Sequence, residues 1–137
     1  MHMNNGRYLT IMDLGRTDLM MRTGLGPKII ANKWFPVVGS ILTSFRAPLN
    51  PFDKYTLHTK VLGWDEKWFY LEQKFTKQGA VTMVAVVKAL IRNKNETIPT
   101  KKVIDSIAPG LLSPTLPDAV QKWLDAEKFF AHTKRDH

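Results

Sequence analysis

The run His2-Met3-Asn4-Asn5-Gly6-Arg7-Tyr8 gathers an imidazole, two carboxamides and a phenol at the head of the chain. His2 could orient or polarise a ligand, and the carboxamides of Asn4 and Asn5 could hold a carbonyl or a water by hydrogen bonds. Both Asn residues also suit helix capping, where a side-chain oxygen accepts an orphan backbone N–H. Tyr8 fits a core or pocket wall. The nearest carboxylates are Asp13 and Asp18. Either could act as a general base or nucleophile. Each also has an arginine at helical spacing, Arg16 and Arg22, so an intrahelical ion pair is the competing reading. Arg46, Lys60, Lys88 and Arg92 could meet phosphate groups, or could be ordinary strand-end charges. Cys is absent, which excludes thiolate chemistry and disulfides. No His/Asp/Glu cluster has metal-ligand spacing. Neither a glycine-rich phosphate loop nor a Gly-x-Ser-x-Gly elbow is present.

These residues need elements to position them. Tyr8, Ile11, Met12, Gly15 and Leu19 recur at steps of three and four, which predicts a helix over residues 5–22. Leu9, Leu14, Met20 and Met21 widen its apolar surface, so a buried helix is expected. Gly24 suits the C′ position, and "GLGPK" reads as a loop. A strand is expected from Phe35 to Arg46, a proline-bearing turn at "APLNPF", and three further strands in "YTLHTKVLGW", "WFYLEQKF" and "AVTMVAVVKALIR". In the third, Phe69, Leu71 and Phe75 share one face, opposite Trp68, Tyr70, Glu72 and Lys74. The last strand is the most continuously apolar and suits a central place. A short helix is expected over 101–107 and a final one over 117–132, with Pro117 and Asp118 at its start. "TKRDH" reads as a frayed tail.

At 137 residues with 44% hydrophobic content, the chain suits one domain, 1–137. Its core is expected over about 2–92, with a helical extension over 99–133. The charge of +8 favours anionic partners. No dense basic stripe or basic–aromatic interleaving points to nucleic acid. The longest apolar run carries Lys88 and is too short to span a membrane; no signal peptide is visible. One helix followed by a long antiparallel meander is an α+β plan. A helix apolar nearly all round must be wrapped by the sheet, which describes a hot-dog fold.

"HMNNGRYLTIMDLGR" resembles the start of the central helix in hot-dog thioesterases of the 4-hydroxybenzoyl-CoA thioesterase type: His2, Met3, Asn4, Asn5, Gly6 and Tyr8 match that pattern in order and spacing. "SFRAPLNPFDKYTLHTKVLGWDEKWFYLEQKF" resembles the branch of thioesterase-superfamily-member-6-like proteins. The resemblance covers roughly residues 2–92 and implies a cytoplasmic acyl-CoA thioester hydrolase, a homodimer or dimer of dimers. It implies no cofactor beyond the coenzyme A thioester, which is the substrate. Its sites lie at a dimer interface, where the N-terminal amides of the helix stabilise an oxyanion and a carboxylate activates water or attacks. Carried onto this chain, the catalytic candidates are Asp13, Asn5 and His2, and the substrate-binding candidates are Asn4, Gly6, Tyr8, Arg46 and Lys88. The family commonly carries its acid, and a first strand, ahead of the His. This chain begins one residue before His2, so both are expected to be missing from it. Either the start was assigned late or the protein works without that acid. A non-catalytic acyl-binding or assembly module is the alternative.

Overall fold

The computed structural model of the protein describes the backbone of residues 5–50 and 52–135, and the side chains of 6–50 and 52–129. The first helix, α1 (Asn5–Arg22), has the expected bounds. It stops at Gly24, whose φ of 83° places it in the left-handed region, with the Thr23 N–H bonded to the Leu19 carbonyl at 3.0 Å.

The segment read as a loop is instead a second helix, α2 (Leu25–Asn32). Pro27 falls in its first turn, where the missing N–H costs no helical bond. Gly26 packs so tightly against α1 that a Cβ there would stand 2.4 Å from the Met21 sulfur. The glycines that suggested a loop serve a close helix–helix contact and a left-handed cap. Lys33, at φ 57°, ends the helix.

Four antiparallel strands follow: β1 (Phe35–Phe45), β2 (Thr56–Trp64), β3 (Phe69–Lys77) and β4 (Ala80–Arg92). Their order across the sheet is β1-β4-β3-β2. Only β2, β3 and β4 form a meander, so the four-strand meander is corrected. β4 is central, as its apolar run requires, and it gains β1 as its second neighbour. The β1–β2 connection must therefore cross the end of the sheet. It does so with Leu49 fully buried beneath it.

One face of the sheet carries α1. Tyr8, Met12, Leu71, Phe75, Met83, Ala85 and Val87 form its core. A second cluster of Trp34, Ile91, Ile98 and Val103 ties α2 and the short helix α3 (Thr100–Asp105) to the same sheet. The long C-terminal helix α4 (Asp118–Arg135) lies on the opposite face and runs to Arg135, beyond the expected end. The expectation that α1 is apolar-buried all round is also corrected. Leu9, Leu14 and Met21 are 45%, 65% and 58% exposed, because α1 rests on the sheet by one side.

Candidate active site

The N-terminal end of an α-helix presents N–H groups without intrahelical partners and a positive potential. In α1 that end is built over a cluster of aromatic rings. Tyr8 meets Phe45 edge-on at 5.3 Å between centroids and Phe75 at 5.0 Å, and Tyr55 meets Phe75 at 5.4 Å. Phe45 and Tyr55 bracket the connection that crosses the sheet, so that connection is pinned against the first turns of α1. Burial pushes the Tyr8 hydroxyl up from its ordinary pKa, opposed by a hydrogen bond with the Leu49 backbone. Tyr8 is thus a core anchor that joins α1 to the connection.

Of the other sequence-derived candidates, His2 and Asn4 lie outside the described residues. Asn5 opens α1, and Gly6 is exposed beside it. Arg46 follows Phe45, whose ring meets Tyr8. Its backbone N–H bonds the Thr82 carbonyl at 2.8 Å, and its side chain is exposed. Lys88 is not brought to the N-terminal end of α1. Val87 faces α1, so Lys88 points to the other face, where it pairs with Glu127 of α4 at 2.9 Å and lies 4.6 Å above the Trp68 ring. An expected phosphate ligand is instead the cation that fastens α4.

Asp13 sits on the outer side of α1, with its side chain 75% exposed. Its Oδ1 accepts from Arg16 Nη2 at 3.3 Å, the ion pair its spacing allows. Asp18 pairs with Arg22 at 2.8 Å. The Asp13 pair differs in what lies behind it. Arg16 is only 13% exposed, and Arg16 Nη1 donates to Gln73 Oε1 at 2.8 Å. Gln73, on β3, is fully buried; its Nε2 donates to the Met12 carbonyl at 2.9 Å and to Thr59 Oγ1 at 3.0 Å. Burial pulls the Arg16 pKa down, and the neighbouring Asp13 carboxylate opposes that. Gln73 was absent from the sequence-derived candidates. Its signal was a polar residue at an inward position, between Leu71 and Phe75 on the face that alternation assigns to the core.

An open cavity of about 680 Å³ lies between the C-terminal half of α1 and β2, lined by Asp18, Arg22, Leu57, Thr59, Lys60 and Glu72 among others. Its charges already pair with one another, Arg22 with Asp18 and Lys74 with Glu72. It lies away from the N-terminal end of α1. Among the described residues no group of three or more His, Asp and Glu could hold a metal ion.

The sequence matches the thioesterase-like superfamily over residues 1–124. The chain belongs to that family. Protein THEM6 of Drosophila melanogaster is 34% identical over 127 residues, covering 91% of this thioesterase-like chain and 64% of that protein. A probable thioesterase of Saccharomyces cerevisiae is 30% identical over 109 residues, covering 76% of this chain and 46% of that one. The chain spans about half the length of the curated relatives it matches. A solved gentisyl-coenzyme A thioesterase superposes with a TM-score of 0.68 at 23% identity, over 75% of this chain and 85% of that one. The thioesterase-like chain thus has the hot-dog architecture expected of it.

Proposed function

We propose that this protein hydrolyses acyl-coenzyme A thioesters, releasing a free acid and coenzyme A. The observation that carries the reading is Asp13. It is an exposed carboxylate on the central helix of a thioesterase-like domain, held at one oxygen by an arginine whose side chain is only 13% exposed. Membership of the family and relatives named as thioesterases support it. In this reading the thioester carbonyl meets the N-terminal end of α1, beside Asn5 and Gly6. Amides there stabilise the oxyanion that forms when the carbonyl is attacked. Asp13 lies about 12 Å along its own helix from Asn5, so the carboxylate that serves this carbonyl is the Asp13 of the second copy. It takes a proton from the attacking water as the coenzyme A thiolate leaves, or attacks the carbonyl, expels that thiolate and forms an acyl anhydride that water then hydrolyses. Asn4 and His2 would orient the substrate, and Arg46 would meet its phosphates.

Asp13 points away from its own sheet, so it would serve a site completed by a second copy of the chain. A homodimer, or a dimer of such dimers, would also cover Leu9, Leu14 and Met21. No cofactor is required. Among the described residues no helix is long and apolar enough to cross a membrane.

The test is thiol release from a panel of acyl-CoAs by wild type and Asp13→Asn. Wild type should turn over at least one of them, and Asp13→Asn should lose roughly 100-fold or more in kcat. Turnover unchanged by Asp13→Asn would remove Asp13 from the mechanism. Acyl-CoA binding without turnover would favour the second reading, a non-catalytic acyl-binding module.

A further inference from the structure

We propose that Gln73 is a positioning residue for Asp13, acting through Arg16. The inference rests on the hydrolase reading and names a residue in that site which neither the spacing nor the family pattern indicated.

The Arg16 guanidinium is largely out of water, and a cation so placed needs hydrogen-bonding partners. It has two on adjacent nitrogens: Gln73 Oε1 at 2.8 Å on Nη1 and Asp13 Oδ1 at 3.3 Å on Nη2. Because the guanidinium is planar and rigid, fixing Nη1 fixes the direction of Nη2. Gln73 therefore sets where Arg16 presents its second nitrogen, and with it where Asp13 Oδ1 is held. Among the described residues Asp13 Oδ2 has no partner, so it is the oxygen left for a water or a carbonyl.

Gln73 is itself fixed. Its Nε2 faces two acceptors, the Met12 carbonyl and Thr59 Oγ1, while its Oε1 faces a donor. The opposite amide orientation would set like against like on both sides. The Met12 carbonyl belongs to the residue immediately before Asp13, so the same amide holds the backbone at the turn that carries the carboxylate. Gly15 leaves room for this arrangement, since a Cβ there would stand 3.0 Å from Thr59 Oγ1 and 3.2 Å from Gln73 Nε2.

A Gln73 that merely held α1 to the sheet would affect stability, and its effect on rate would not depend on Asp13. The two roles separate in a double-mutant cycle on the full chain. Thiol release from acyl-CoA is followed for wild type, Asp13→Asn, Gln73→Leu, Gln73→Glu and the Asp13→Asn/Gln73→Leu pair, with the melting temperature of each. Gln73→Leu should lower kcat about 10-fold or more while KM moves by less than about twofold. In the Asp13→Asn background the same change should cost less than about twofold more. Gln73→Glu keeps an acceptor facing Arg16 but sets its other carboxylate oxygen against the Met12 carbonyl, so its kcat should fall between those of Gln73→Leu and wild type, whatever its melting temperature.

Full kcat in Gln73→Leu, or losses that multiply in the double variant, would overturn the proposal. If Gln73→Leu does not fold, Arg16→Lys takes its place. It keeps the charge but replaces the rigid fork by a single freely rotating ammonium, so it cannot hold Gln73 and Asp13 on two fixed nitrogens, and it must show the same dependence on Asp13. A wild type without turnover overturns the hydrolase reading and this proposal together. Wild-type turnover with kcat undiminished in Gln73→Leu overturns this proposal alone.

Discussion

At the scale of single residues, the most heavily bonded carboxylate of the described chain is Asp65, in the β2–β3 turn. Its Oδ1 accepts the Lys67 and Trp68 backbone N–H groups at 2.9 and 2.7 Å, and its Oδ2 accepts the Tyr70 hydroxyl at 2.6 Å. Partial burial would raise its pKa. The Tyr70, Trp68 and Lys67 hydrogen bonds together outweigh that and hold it below the ordinary carboxylate range. Burial and the same carboxylate drive the Tyr70 hydroxyl well above its usual value, so it remains a donor. Thr100 reaches back to the Asp65 carbonyl and joins α3 to this turn. Tyr70→Phe should therefore destabilise the protein by about 1–3 kcal/mol at neutral pH. The sign with pH follows from the depressed value. The contribution of Asp65 is complete above its unfolded pKa and is lost as pH falls through its folded pKa. The melting-temperature gap between wild type and Tyr70→Phe should narrow in acid; a gap constant with pH would contradict this. That pairing was hidden in the sequence, because a Tyr on the outward parity of a strand gives no hint that a turn aspartate sits above it.

At the scale of elements, two strands carry irregularities that make room for neighbours. In β1 the register shifts between Val38 and Ser40, and Gly39 lies beneath the Trp68 ring, which reaches it across β4. In β2 the register shifts between Val61 and Gly63. There the segment leading to α4 presses on the strand. A Cβ on Gly63 would stand 2.8 Å from both Leu116 and Ser113 side chains and 3.0 Å from the Pro114 carbonyl. Ser113 Oγ accepts the Trp64 N–H at 2.8 Å. Gly63→Ala should push this segment away and cost about 1–3 kcal/mol, read by chemical denaturation. Beyond it, Lys88 and Glu127 pair with side chains only 17% and 19% exposed. Glu127→Met leaves Lys88 half-buried without its carboxylate and should destabilise the chain by about 1–3 kcal/mol. Replacing both by Met should recover part of that loss. Both readouts are melting temperatures. The sequence marked the strands and both long helices through their periodicity. It did not mark α2, whose Gly-x-Gly-Pro opening has the chemistry of a turn and becomes helical only because α1 is there to pack against.

At the scale of the molecule, α1 leaves Leu9, Leu14 and Met21 largely exposed on the side away from the sheet. Leu14 and Met21, seven residues apart, share one stripe of the helix, and exposed apolar side chains so placed favour a covering surface, which the proposed homodimer supplies. Wild type should sediment as a dimer or larger assembly. Leu14→Lys should shift it toward monomer with an unchanged far-UV circular dichroism spectrum, since Leu14 makes little of the single-chain core. The same variant should depress turnover, because the proposed site is completed by the second copy. A Leu14→Lys protein that stays dimeric would place the contact elsewhere.

By itself the sequence determined the elements with strong periodicity, the central place of the most apolar strand, and the resemblance of the helix opening to a thioesterase motif. These depend on local spacing and on amounts of apolar surface, both of which can be counted along the chain. Only the tertiary structure decided which neighbours β4 takes, which face each cation occupies, and how the polar groups pair. Lys88 and Arg46 look alike in the sequence, but one fastens α4 through Glu127 and the other keeps its side chain exposed at the end of β1. Gln73 is a lone polar residue in an apolar alternation until the sheet carries it under Met12 and Arg16. A partner 57 residues away sets its meaning, and contacts at that separation exist only once the chain has closed on itself.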